Sequence, residues 1–202
     1  MRSRSRTFPI TLVAAALVVA LAGACGDPFG LPRPAIGNRV DTVALYALSG
    51  TPVTTPSGYR FFSSTNPGIS LPQPVRTDQS SDFDFVFDID TAGRALLMPT
   101  AVLDLGRLSG AQITTTPFDS IKIAPDRNYN LDSALVVDVG TVAIVHSRPA
   151  TCSFGISTVY YAKLRVLSID PLPGPNGRRM QFEILVDTNC GYRGLEPGLP
   201  SR

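Results

Sequence analysis

Apolar and polar residues alternate one by one through much of the chain between positions 40 and 190. The sharpest case is Phe83-Asp84-Phe85-Val86-Phe87-Asp88-Ile89-Asp90, where Phe83, Phe85, Phe87 and Ile89 fall on one side and Asp84, Asp88 and Asp90 on the other. A period of two belongs to a β-strand with one buried face, because successive side chains point to opposite sides of the pleat. Short runs rich in Val, Ile, Phe, Tyr and Thr, separated by Pro, Gly, Asn and Asp, predict further strands at 40–48, 59–62, 94–98, 118–124, 135–139, 141–147, 158–169 and 178–187. The last two are the longest. Between them Asp170-Pro171-Leu172-Pro173-Gly174-Pro175-Asn176-Gly177 is rich in turn residues, so they read as the arms of a hairpin. Tyr160, Ala162, Leu164 and Val166 alternate with Tyr161, Lys163 and Arg165 in the first arm. Met180, Phe182, Ile184 and Val186 alternate with Gln181 and Glu183 in the second. Each arm is therefore expected to bury one face. Helix signals are scarce, and only 99–108 could form a short one. The fold class expected is all-β, a sandwich-like antiparallel domain with a long C-terminal hairpin. No repeat of about 20 to 50 residues points to a propeller or solenoid.

The beginning of the chain breaks this pattern. Arg2, Arg4 and Arg6 precede a nearly uninterrupted apolar run from Ile10 to Ala22, which closes on the small residues Ala22-Gly23-Ala24. That is the plan of a secretory signal peptide over residues 1–24; the run falls short of the roughly 20 residues that a membrane-spanning helix needs. Leu21-Ala22-Gly23-Ala24-Cys25 resembles the lipobox of bacterial lipoproteins, with its Leu four residues before the Cys where three is usual. The resemblance implies that Cys25 takes a diacylglycerol and becomes the mature N-terminus. The chain would then be lipid-anchored in the cell envelope, facing the periplasm or the exterior. The alternative is ordinary cleavage after Ala24, leaving a free and exposed thiol, a liability on an exported protein. Residues 26–39 carry three Pro and three Gly without apolar periodicity. They read, with Cys25, as a flexible tether over 25–39 or else as a strap on the domain surface. The β-rich domain is expected over 40–190 and a C-terminal tail over 191–202.

Removing the signal changes the charge that matters. The chain has 18 Lys and Arg against 16 Asp and Glu, and without Arg2, Arg4 and Arg6 the balance is 15 against 16. The basic surplus belongs to the signal. Nothing electrostatic then favours nucleic acid or draws the folded part onto anionic lipid. The expected partners are the membrane, through the lipid, and a small molecule or another envelope protein.

Chemistry-bearing residues are few: one His, two Lys and two Glu, and no nucleophile elbow, zinc-protease, phosphate-loop or Cys-x-x-Cys motif. A non-catalytic protein is expected. His146 stands six residues before Cys152, which admits a nucleophile and base. The competing reading pairs Cys152 with Cys190 in a structural disulfide, since export oxidises thiols and these two alone remain once Cys25 is occupied. The hairpin would bring them to one open end. His146 itself reads as a strand-end side chain, with ligand or metal binding as the alternative. Asp78, Asp82, Asp84, Asp88 and Asp90 contain two Asp-x-Asp pairs, and Asp82, Asp84, Asp88 and Asp90 are candidate calcium ligands, against a solvated strand face. The row Phe83, Phe85, Phe87 reads as core or as an aromatic platform.

Phe83-Asp84-Phe85-Val86-Phe87, then Gly140-Thr141-Val142-Ala143-Ile144-Val145 and Tyr160-Tyr161-Ala162-Lys163-Leu164-Arg165-Val166-Leu167, look like the HmuY family. That resemblance, over residues 83–190, implies a lipid-anchored, β-rich, haem-binding protein of the bacterial surface or periplasm. The founding members hold the iron with a pair of His, and this chain has only His146. Met98, Met180, Tyr160 or Tyr161 could supply a second axial ligand, but a likeness of fold does not carry the site with it. No cofactor and no tight haem binding are expected. The sequence thus points to a non-catalytic binding lipoprotein, with a structural or assembly component of the envelope as the alternative. Mass spectrometry of the membrane fraction should find a mature N-terminus at Cys25 carrying acyl mass; the same terminus without acyl mass overturns the lipoprotein reading.

Overall fold

The computed structural model of the chain describes residues 33–63, 71–152, 155, 157–174 and 177–200. In chain order the strands are β1 (Val40–Tyr46), β2 (Gly58–Arg60), β3 (Gln73–Val75), β4 (Phe85–Ile89), β5 (Ala95–Pro99), β6 (Gly110–Thr114), β7 (Leu135–Val137), β8 (Val142–His146), β9 (Ala150–Thr151), β10 (Ser157–Thr158), β11 (Tyr161–Asp170) and β12 (Arg179–Asp187). One sheet runs β1-β12-β11-β8-β6 and a second runs β3-β2-β4-β5-β7, while β9 and β10 form a small ribbon. Every pairing is antiparallel. The described residues include two short 3-10 segments, Thr100–Leu103 and Phe118–Ser120. The chain is all-β, as its alternation predicts.

The two large sheets share one core. Ala162, Leu164 and Val166 of β11 and Met180, Phe182, Ile184 and Val186 of β12 face Tyr59, Phe85, Phe87, Ile89 and Leu97 of the second sheet. Phe182 meets Tyr59 and Phe85 edge-on, with ring centroids 5.9 and 6.0 Å away, and those two rings stack at 5.5 Å. Offset and edge-on contacts suit the ring quadrupoles and add roughly 0.5–1.5 kcal/mol each beyond area burial. The predicted hairpin is β11–β12, with a bulge between Val166 and Ser168, and its expected inward residues are all buried.

The outward faces differ from expectation. Val142, Ile144 and Leu185, on the far side of the first sheet, are buried beneath Phe118, Ile121, Ala124 and Leu195. Residues 118–124 are not the predicted strand: a 3-10 turn opens them, and the following chain makes only an isolated bridge, Ile123 to Gly194. The expected helix over 99–108 is a single 3-10 turn stopped by Asp104 in the left-handed conformation (φ 58°). β6 lies where no strand is expected, because Gly110-Ala111-Gln112-Ile113-Thr114 alternates too weakly to be seen. Residues 191–200 are not a tail, since Tyr192 and Leu195 are buried at 3% and 0% exposure. Residues 33–39 are strapped onto the domain, with Asn38 bridged to Gly198, whereas Cys25 and the signal region lie outside the described residues.

Cys152 and Cys190 form a disulfide with Cα atoms 6.0 Å apart, inside the range a bridge requires. It closes the open end of the hairpin as expected. Across a separation of 38 residues the chain-entropy model gives about 4 kcal/mol. The double variant Cys152→Ser/Cys190→Ser should lose stability of that order in denaturant melts, and an unchanged midpoint would refute a structural role for the bridge.

Candidate functional site

The four candidate calcium ligands do not converge. Asp84 is fully buried, contrary to a solvated strand face: Oδ2 accepts from the Phe61 N–H at 2.6 Å, and Oδ1 from the Arg148 N–H at 2.9 Å and its Nε at 3.1 Å. Burial pushes its carboxyl above the usual range, against the downward pull of Arg148 and the two amides. Asp82 pairs with Arg148 and Arg60. Asp88 accepts from the N–H and hydroxyl of Ser49. Asp90 closes the β4–β5 turn through Ala92 and Arg94, whose hydrogen bonds hold its carboxyl below the usual range. No group of three His, Cys, Asp or Glu among the described residues is arranged to hold a metal ion. The Phe row also divides. Phe85 and Phe87 enter the main core, and Phe83 joins Val86 and Met98 on the outer side of the second sheet, because regular pairing begins only at Phe85.

His146, at the end of β8, lies across Gly110 of β6, its register partner. A Cβ at Gly110 would stand 2.7 Å from His146 Nε2 and 2.3 Å from Leu131, so the bare backbone makes room for the ring. Nδ1 lies 2.9 Å from the Ser147 carbonyl, and the edge of the ring meets Tyr129 at 4.7 Å. Since a carbonyl can only accept, Nδ1 carries the proton and Nε2 is the unprotonated nitrogen. Burial lowers the pKa of the ring. Tyr161 is its partner on β11, while Met180 and Tyr160 belong to the core and Met98 to the outer cluster. The residues proposed to complete a haem site, Tyr161 apart, are thus distributed through the packing.

Polar groups that look solvated in the sequence carry much of the outer packing. Lys163 is 2% exposed, and its ammonium donates to the Phe118 and Ile121 carbonyls at 2.8 and 3.0 Å, with the Phe118 ring centroid 4.5 Å away. Burial lowers its pKa. Asp187 is 0% exposed, and its Oδ1 accepts from the N–H and the side-chain amide of Asn189 at 2.9 and 3.0 Å. The Oδ1 of Asn38 is buried without a hydrogen-bond donor. Desolvation raises the Asp187 carboxyl, against the pull of Asn189, the Asn38 side chain and the Gly194 N–H.

A concave site lies where the sandwich opens at its edge. β1 and β3 are the outermost strands on that side. Asp41 pairs with Ile184, so its side chain points to the inner face, where Val43 and Leu45 of the same strand are apolar. A charged side chain at that position keeps the edge wet and guards it against pairing with another sheet. Behind it is a cavity of about 280 Å³ whose walls include Ile36, Leu71 and Pro72 and whose floor is Tyr59, Ile184 and Val186. Arg39 grips Asp41 at the mouth, Nε to Oδ2 at 3.2 Å and NH2 to Oδ1 at 3.1 Å. Burial and the nearby Asp41 charge push the Tyr59 phenol up, so it stays protonated and able to donate. A second hollow of about 320 Å³, lined by Leu48, Val53, Phe83, Leu103 and Leu105, lies outside the second sheet. Its lining also carries Thr51, Ser57, Thr77, Asp78 and Ser81, without an ion pair such as Arg39–Asp41 within the lining.

No family model, curated protein or solved structure matches the chain.

Asp187 gives a signed pH dependence. Its folded pKa is raised above the unfolded value of about 3.9, so the stability it contributes is complete below that value and is lost as pH rises through the folded pKa. Asp187→Asn removes the titration and keeps an acceptor for Asn189. Melting temperatures taken between about pH 3.5 and 7 should show the wild type losing ground to D187N as pH rises. Parallel curves, or the opposite slope, would count against a buried carboxyl that favours its proton.

Proposed function

We propose that the protein is an exported, lipid-anchored binding protein of the bacterial envelope, holding a small apolar molecule with one polar substituent in the cavity at the sandwich edge. The observation that carries this reading is the cavity itself. Its floor is made of core side chains and includes the Tyr59 phenol, while its mouth holds the Arg39–Asp41 pair. An apolar pocket with a few convergent polar groups is the usual form of a small-molecule site. Cavities of about 150 Å³ take benzene, so about 280 Å³ suits one or two rings. The phenol and the ion pair would orient a hydroxyl or carbonyl group of the ligand, and the apolar floor would supply most of the binding free energy.

Binding without turnover fits the titratable groups. His146 is committed to the Ser147 carbonyl, Lys163 to two backbone carbonyls, and the described cysteines to each other. The exported, anchored part of the proposal rests on the signal-like start, the lipobox-like Cys25 and a disulfide of the kind that persists in oxidising compartments. Haem is not the ligand proposed, because the ring of His146 is built into the packing between β6 and β8. A role in envelope assembly draws on one further observation, the exposed apolar Leu48, Val53 and Leu105 around the outer hollow.

Titration with 2-naphthol, followed by its fluorescence, tests the binding reading. Saturable one-to-one binding is expected, weakened at least tenfold by Val186→Phe, which places a ring in the cavity. Absence of saturable binding, or equal binding by the variant, sinks it.

A further inference from the structure

We infer that residues 33–37 form a strap latched by the single side chain of Asn189, which opens without unfolding the sandwich and thereby uncovers the edge cavity. The inference rests on the binding proposal only for what the cavity does. The latch follows from the hydrogen bonds. Asn189 is 6% exposed. Its Oδ1 accepts from the N–H groups of Ala35 and Ile36 at 2.9 and 3.1 Å, and its Nδ2 donates to the Ile36 carbonyl at 2.8 Å. One side chain thus takes the place of a neighbouring strand, meeting both backbone groups of Ile36.

Asp187 fixes which way that amide faces. Its Oδ1 accepts from Asn189 Nδ2 and from the Asn189 N–H. Turning the amide over would set oxygen against Asp187 Oδ1, which already accepts from the Asn189 N–H, and against the Ile36 carbonyl, and would leave two strap N–H groups facing an NH2. Asp187 is therefore a positioning residue for the latch.

Little else holds the strap. Ala35, Ile36 and Gly37 are exposed, Ile36 at 48%, so releasing them sacrifices few apolar contacts. Segments of that kind open at low cost relative to the core. The next residue behaves differently. Asn38 is buried, exchanges two backbone hydrogen bonds with Gly198 at 2.7 and 2.9 Å, and donates from Nδ2 to the Gly194 carbonyl at 2.8 Å. It is a fixed point next to a releasable segment, which is the arrangement of a hinge. Ile36, held by the latch, and Gly37, between it and the hinge, line the cavity, so the free strap carries that wall away. The strap is also the part of the domain that leads back toward Cys25, and tension on a lipid-anchored chain would act on the latch first.

Residue-resolved hydrogen exchange on the purified chain, with 2-naphthol dissociation measured alongside, tests this. Asn189→Ala should speed exchange at the Ile36 amide at least tenfold with the β11–β12 amides unchanged. That variant also leaves Asp187 with fewer partners and could weaken the whole fold. Ala35→Pro is the control, since it removes one strap N–H and leaves the Asn189–Asp187 bonds in place. It should speed Ile36 exchange and raise the 2-naphthol dissociation rate several-fold. A wild-type Ile36 amide exchanging only in step with the β11–β12 amides would overturn the latch. Faster exchange with unaltered dissociation would overturn the gating. Should 2-naphthol not bind the wild type, the pocket proposal and the gating fall together, and exchange at Ile36 still decides the latch.

Discussion

The β11–β12 hairpin is buried on its inner face and, around Lys163, Leu185 and Asp187, on its outer face as well, and the rest of the molecule is arranged around that condition. Its inner face carries Leu164, Val166, Phe182 and Ile184 into the space between the sheets, which apolar side chains alone can fill. Its outer face carries Lys163, Arg165, Glu183 and Asp187 beside Leu185. A charge removed from water must be paired or hydrogen-bonded. The outer cover is accordingly made of loops with free backbone groups, not of another sheet whose groups are already used. The carbonyls of Phe118 and Ile121 receive the Lys163 ammonium, and Asn189 supplies N–H donors to Asp187. Arg165 pairs with Glu183 across the hairpin. Fixing the outer loops and fixing the buried charges are the same event.

That condition explains which parts of the fold are legible in the sequence. The inner faces are, because an apolar contact between sheets needs only period-two alternation and volume, and Met180, Phe182, Ile184 and Val186 declare themselves without reference to any partner. The outer faces are not. Lys163 and Asp84 sit at positions that alternation assigns to solvent, and what buries them comes from far along the chain. Phe118 is 45 residues from Lys163, and Arg148 is 64 from Asp84. Nothing local in Phe118-Asp119-Ser120 signals that its carbonyls will be aimed at an ammonium. The supposed tail fails for the same reason: Tyr192 and Leu195 are too sparse to show periodicity, and they are buried only because the far side of the first sheet is already there to receive them.

The candidate sites divide along the same line. Spacing within a strand makes the aspartates look like a cluster, but a strand separates neighbours on one face by about 7 Å, and Asp84, Asp88 and Asp90 are each held by donors of their own. The disulfide was legible from counting once Cys25 is set aside as the expected lipid site, since two thiols then leave a single pairing. The edge cavity was invisible. It depends on Asp41 facing inward, and Asp41-Thr42-Val43-Ala44-Leu45 reads equally well with Asp on either face until its register against β12 is known.

Asp41 also shows why an opening occurs at this edge and not at the middle of the sandwich. Continuing the inner face with a large apolar residue after Leu45 and Val43 would close the gap over Tyr59 and Ile184 and remove the cavity. An inward carboxylate cannot be sealed in without its counter-ion, so it stays at the rim, about half exposed with Arg39, and keeps the two sheets from meeting there. The same residue that protects an edge strand from pairing with a stranger therefore holds a hollow open beside it. The strap then crosses the remaining gap with backbone hydrogen bonds to Asn189 in place of apolar side chains, which makes it the part of the wall that can be withdrawn while the core stays folded.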